Sequence, residues 1–200
     1  MSLSFSHRKA TQALNWLARQ AGGSLNKMAA LKLIFFADRY HLRKYGRPVT
    51  GDSYLAMNFG PVPSGTKDIA YLSDFLSNSE RSYAEAFLQP GVDPHSFESR
   101  TVEDMRVFSQ TDAEALNFAW SQFGRHDAFM LADITHSYPE WKRHEAALKS
   151  QETTRVPMNY ADFLDDAPAG VNPCHALTEA EARDRREMLA ELTAFENRWN

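Results

Sequence analysis

Two carboxylate–imidazole pairs, Asp38/His41 and Asp133/His136, are each spaced three residues apart, which on a helix brings both side chains to one face. Glu140 and His144 follow the second pair. Such groups can hold zinc or another transition metal and activate water for hydrolysis. The pattern is loose, because seven histidines supply two short-range matches readily and the H-E-x-x-H signature is absent. Hydrogen-bonded structural roles are the stronger reading, with a metal-dependent hydrolase using the Asp/His pairs as a rival. Nucleophilic chemistry has less support. Cys174 and His175 are adjacent in the loop Asn172-Pro173-Cys174-His175, and neighbouring side chains of an extended chain point apart. No helix start or cationic pocket is evident to lower the thiol pKa, so a surface thiol is expected. The Asp165-Asp166 pair has no apolar pocket to raise a carboxyl pKa. A glycine-rich phosphate loop and a G-x-S-x-G elbow are both missing. No catalytic, metal-ligating or cofactor-binding residue is assigned, and no cofactor is expected.

Nucleic-acid binding rests on Lys27, Lys32, Arg39, Arg43, Lys44 and Arg47, six basic residues against one Asp in residues 27–47. Lys32, Arg39 and Arg43, separated by seven and four positions, share one helix side and with Arg47 could form a phosphate-binding stripe. The formal net charge of −4 argues against a dedicated nucleic-acid binder, and no helix-turn-helix flanks the stripe. A solvated face, or pairing with acidic C-terminal elements, is the expectation. A DNA-binding regulator is the second rival. Tyr40, Tyr45, Tyr54, Phe59, Tyr138 and Trp141 fall at element ends or turns, where aromatics form core corners or protein–protein hot spots.

Periodicity gives the elements that must position these groups. Residues 6–21 read as an amphipathic helix ended by Gly22-Gly23, and Asn26 can cap the next helix. There Met28, Leu31, Leu33, Ile34, Phe35 and Phe36 point in too many directions for an exposed face, so this helix is expected inside the protein. Gly46 suits a left-handed stop and Pro48 prevents resumption. Ser53–Phe59 reads as a strand, paired with a short returning strand at Met105–Phe108. Ser64 is expected to cap a helix to about residue 77, with Ile69, Leu72, Phe75 and Leu76 inside. Residues 77–104 read as a long mobile excursion. Thr111–Glu114 reads as a capping box, Asp127 as a helix start, and Pro139 as a first-turn proline. Residues 151–176 read as a loop or strap with the acidic Asp162, Asp165 and Asp166. Thr178–Glu181 caps a last helix with Met188, Leu192, Phe195 and Trp199 on one face. The fold class expected is α+β, predominantly α-helical: a helical bundle around a buried central helix with a small antiparallel sheet or hairpin.

Two hundred residues suffice for one core, and 43% hydrophobic with 24% charged residues is the composition of a soluble globular chain. One cysteine excludes an internal disulfide and fits a reducing cytoplasm. The N-terminus lacks signal-peptide features and no run approaches a membrane span, so a cytoplasmic location is expected.

The segments Ala29–Ser64 and Ser109–Trp141 resemble the SocA-like antitoxin family, also called the Panacea domain. The resemblance is carried by LKLIFFADRYHLRKYGRPVTGD, the following YLAMNFGPVPS and the later THSYPEW, and extends over roughly residues 7 to 165. It implies an antitoxin of a bacterial or phage toxin–antitoxin pair, with a role in phage defence, that neutralises a cognate protein toxin by direct binding and is not an enzyme. It also implies that Asp38, Arg39, His41, Tyr54, Gly60, Pro61, His136 and Trp141, on the family motifs, build a scaffold or touch the partner. The expected organisation is residues 1–165 as the antitoxin domain, with 166–200 as a strap and helix packed on it. Partner choice is expected to lie in 77–104 and 166–200. The partners expected are the toxin, with homo-oligomerisation and DNA as less favoured additions, and no membrane.

Overall fold

The structure, a computed structural model, describes residues 3–151, 153–196 and 198. It is 56% helical with two small antiparallel sheets of three strands each, the predominantly helical α+β class that the periodicity implies. Helix α1 (His7–Gln20) starts at Ser6, whose hydroxyl accepts the Lys9 N–H. After strand β1 (Ser24–Asn26), Asn26 caps α2 (Lys27–Tyr45) by accepting the Ala29 N–H. Gly46 ends α2 at φ +77°, a conformation that costs a side chain-bearing residue strain. Every residue from Ala29 to Arg43 is buried, so α2 is the axis of the fold. Around it lie α1, α5 (Gln110–Phe123), α6 (Ala128–His136) and α9 (Glu179–Glu196). Its Phe36 stacks on Phe123 at 3.8 Å, and Phe35 meets Tyr54, Tyr138 and Phe163 at 5.5–6.0 Å between ring centres.

Several local expectations are corrected. The extended segment after α2 is a hairpin: β2 (Tyr54–Met57) turns at Asn58-Phe59 into β3 (Gly60–Pro63). Two prolines masked β3, which lies at a sheet edge where proline is tolerated. Residues Met105–Val107 form a 3-10 turn under an Asp104 cap and are no strand. The second partner of β2 is β6 (Arg155–Pro157), arriving from the strap. Helix α3 (Ser64–Tyr71) stops at Leu72, which is left-handed at φ +47°, and Phe75 is 89% exposed instead of inward. Its cap comes from a distance: Asp52 accepts the Gly65 and Thr66 N–H groups, while the Ser64 hydroxyl donates to the Ser53 carbonyl.

The stretch read as an excursion is ordered. A Ser77/Glu80 capping box starts α4 (Asn78–Phe87), and β4 (Leu88–Pro90) pairs with β5 (Ser96–Ser99), which also pairs with β1. The box before α5 is Ser109/Asp112, two residues earlier than read, since Glu114 instead binds Lys44 and Tyr45. Asp127 caps α6, and Pro139 sits in the first turn of α7 (Pro139–Lys142), followed by α8 (Glu145–Lys149). Thr178 and Glu181 cap α9 reciprocally. On α9 the buried residue is Leu189, while Met188 lies against Gly46 and stays 43% exposed and Phe195 62% exposed. Trp199 lies outside the described residues.

Candidate protein-binding surface

The family-motif side chains on α2 point inward and are held by specific partners. Asp38 is fully buried. Its Oδ1 accepts the Val49 and Thr50 N–H groups at 2.8 and 3.0 Å, and its Oδ2 accepts the Thr50 and Tyr54 hydroxyls at 2.6 and 2.8 Å. It thereby fixes the turn after α2 against the helix. Burial pushes its carboxyl up to about 6, against the hydrogen bonds from Thr50 and Tyr54. His41 bonds the Arg47 carbonyl through Nδ1 at 2.6 Å and Thr111 Oγ1 through Nε2 at 2.9 Å. Burial pulls its pKa down to about 4, so the ring is neutral at pH 7. The carbonyl can only accept, which puts the proton on Nδ1 and leaves Nε2 to accept from Thr111.

Of the two expectations for the basic stripe, pairing with the acidic C-terminal elements is the one observed. Arg39 and Arg43 are wholly buried, and both guanidinium groups clasp the strap. Arg39 bonds Glu140 Oε1 through Nε at 2.7 Å and donates to the Asp165 and Pro173 carbonyls, with its guanidinium over the Tyr138 ring. Arg43 bonds the His175 and Asp165 carbonyls and Asp166 Oδ1. Lys44 pairs with Glu114, and Arg47 with Asp112. These charges face the protein's own acids and carbonyls, so the stripe that motivated DNA binding is not a surface. The strap also buries Cys174, expected outside: its Sγ lies 3.5 Å from the Tyr138 hydroxyl, and burial pushes the thiol up to about 11.

The carboxylate–imidazole pairs do not converge as metal ligands. Asp38 and His41 both hold the turn after α2, at Val49 and Thr50 and at Arg47, with His41 also bonded to Thr111. Asp133 is exposed, Glu140 is taken by Arg39, and His136 stacks on Trp141 at 3.8 Å. Among the described residues no three His, Cys, Asp or Glu groups are placed to hold a metal ion.

Gly60, Pro61 and Trp141 act together under the β2–β3 hairpin. Gly60 has φ +92°, and a Cβ there would come within 2.3 Å of Thr135 Oγ1. The Pro61 carbonyl accepts from Lys32 Nζ at 2.7 Å, and the Trp141 indole N–H donates to the Met57 carbonyl at 2.9 Å. The hairpin is therefore pinned from below while its tip faces solvent. Phe59 at that tip is 58% exposed and meets Phe129 of α6, 66% exposed, edge to face at 6.3 Å. Beside them a cleft of about 310 Å³ opens between α2, the hairpin and α3. Leu31, Val62 and Lys32 line it, with Phe59, Lys67 and Tyr71 at its mouth. Burial pulls the Lys32 pKa down to about 7. Among the described residues, its amine has the Pro61 carbonyl as its hydrogen-bond partner and no carboxylate within 4.0 Å. A larger hollow of about 760 Å³ lies between α9 and residues 157–161, and none of the residues lining it is a motif residue.

Sequence reasoning named Phe59 only as a turn aromatic and did not single out Phe129. The available signal was Lys32 itself: a lysine in an apolar run with Met28 and Phe36 at the i±4 positions has no helical counter-charge.

The site thus comprises a mainly helical domain with internal ion pairs and an exposed aromatic tip. Residues 31–142 match the family model described as "Antitoxin SocA-like, Panacea domain", and the chain belongs to this family. The match runs from within α2 to the end of α7, leaving the strap and α9 outside it. No curated protein and no solved structure matches the chain. Family membership suggests an antitoxin role and, in general terms, a toxin partner. No helix among the described residues is long and apolar enough to cross a membrane.

Proposed function

We propose that this protein is the antitoxin of a bacterial or phage toxin–antitoxin pair and neutralises its cognate protein toxin by direct binding in the cytoplasm, with no chemistry of its own. The observation that carries the reading is the family match across α2–α7. The internal use of the motif side chains supports it: Asp38, Arg39, His41, Tyr54, Gly60, Pro61 and Trp141 are buried and hold turns, hairpin and strap together. In this reading they are scaffold, as is His136 through its stack on Trp141. Residues 1–165 form the antitoxin domain and 166–200 the strap and helix on it, joined through Arg39 and Arg43. A standard interface removes about 1,600 Å² of combined surface from water, enough to cover a toxin's active site.

The test is co-expression of the polypeptide encoded beside this gene, with and without this chain. The expected result is growth arrest by the neighbour alone, rescue by the pair, and a complex that survives size-exclusion chromatography. Failure of both rescue and complex formation overturns the reading. So does turnover of a substrate that is lost in His136→Ala.

A further inference from the structure

We infer that the cleft beside the β2–β3 turn is where the toxin docks, and that it takes a segment presenting a large apolar side chain next to a carboxylate. The inference rests on the antitoxin reading and adds the place and chemistry of the contact.

Shape comes first. At about 310 Å³ the cleft lies at the bottom of the range for ligand pockets, roughly 300–1,000 Å³, and suits one or two side chains better than a cofactor. Its walls are mostly apolar, and the Phe59–Phe129 pair beside it presents two aromatic rings more than half exposed. Exposed aromatics around an apolar pocket are the usual anchors of protein–protein binding. The backbone there is fixed in advance by the Trp141 and Lys32 bonds to the hairpin, which lowers the ordering cost of association.

Charge identifies the occupant. Two amines, Lys32 and Lys67, border the cleft, and among the described residues none that lines it is Asp or Glu. Elsewhere on α2 the buried guanidinium groups are answered by acids, Arg39 by Glu140 and Arg43 by Asp166, while Lys27 bonds the Pro94 carbonyl and lies over the Tyr71 ring. Among the described residues Lys32 has a carbonyl only. An incoming carboxylate supplies the missing counter-charge, and the apolar walls shield the pair from water.

The experiment measures toxin affinity and growth rescue for the full chain and its variants, with thermal melts as the folding control. Phe59→Ala and Lys67→Glu change exposed side chains. They are expected to weaken binding at least about tenfold and abolish rescue with unchanged melting. Lys32→Met weakens binding too. Val92→Ala and Phe75→Ala, exposed elsewhere, bind as wild type. Reversing single toxin carboxylates to lysine identifies one that restores binding to Lys67→Glu. Full binding by Phe59→Ala and Lys67→Glu overturns the docking site while leaving the antitoxin reading intact, most clearly if Val92→Ala abolishes binding instead. If no toxin carboxylate restores Lys67→Glu, the proposed chemistry is overturned. If wild type neither binds nor rescues, the antitoxin reading fails as well.

Discussion

Lys32 and Arg39 lie seven residues apart on one buried helix, about two turns, yet they live in opposite circumstances. Around Arg39 and Arg43 each guanidinium is met by a carboxylate and by strap carbonyls. Around Lys32 there is, among the described residues, one carbonyl, an apolar cleft and no acid. The residue types that suggest chemistry in the sequence are mostly spent on construction. Beside the exposed aromatics Lys32 has no acid among the described residues. Answered charges define the fold, and unanswered ones point to what the fold meets.

Breaking the answered region gives the largest effect. Arg39→Met leaves Glu140 fully buried without its cation, while Glu140 Oε2 already lacks a hydrogen-bond partner. Removing one partner of such a pair costs about 3–5 kcal/mol. Urea denaturation should show that loss, and Arg39→Met/Glu140→Leu should recover much of it, since the stranded carboxylate is gone. A loss below about 1 kcal/mol for Arg39→Met alone contradicts the role assigned to the pair.

Asp38 comes next. Asp38→Ala strips two backbone N–H groups and two hydroxyls of their acceptor, a cost of about 2–3 kcal/mol. Asp38→Asn keeps one oxygen for the N–H groups, and the hydroxyls can turn to accept from the amide, so its loss should be smaller. The pH dependence separates them further. Burial pushes the native carboxyl up to about 6, above the ordinary aspartate value of 3.8, so the folded state binds this proton more tightly than the unfolded chain. This group's contribution to stability therefore falls as pH rises from about 4 to 6. Denaturation curves of Asp38→Asn across that window should lack the decline.

How far the sequence reached follows from where the signals lie. The caps at Asn26, Gly46, Asp127 and Thr178, and the interior position of α2, depend on residues within a few positions of one another, and all are seen. The failures are long-range. Prolines hid β3, and β6 pairs with β2 from a hundred residues away. Asp52 caps α3 across a hairpin, so Ser64 looked like a cap and is not one. The basic stripe was visible as spacing. Its burial depends on Glu140, Asp165, Asp166 and the strap, which no local pattern places. Phe129 was missed for the same reason, because only the tertiary fold sets it beside Phe59.

The smallest effect has the opposite sign and sharpens the comparison most. Burial pulls Lys32 down to about 7 in the folded protein from the ordinary lysine value of 10.5. Between those values the unfolded chain binds more protons than the native state, so this group makes stability rise with pH from about 7 to 10.5. Below pH 7 the charged amine is carried inside at a cost. Lys32→Met keeps the stem and removes the charge, giving up one hydrogen bond to Pro61. The variant should be more stable than wild type at pH 6, by at least about 1 kcal/mol given that each unit of pKa shift corresponds to about 1.4. It should also lack the alkaline rise, which urea titrations at pH 6 and pH 10 measure directly. If Lys32→Met destabilises as Arg39→Met does, Lys32 belongs to the answered core, and the contrast between the two ends of α2 disappears.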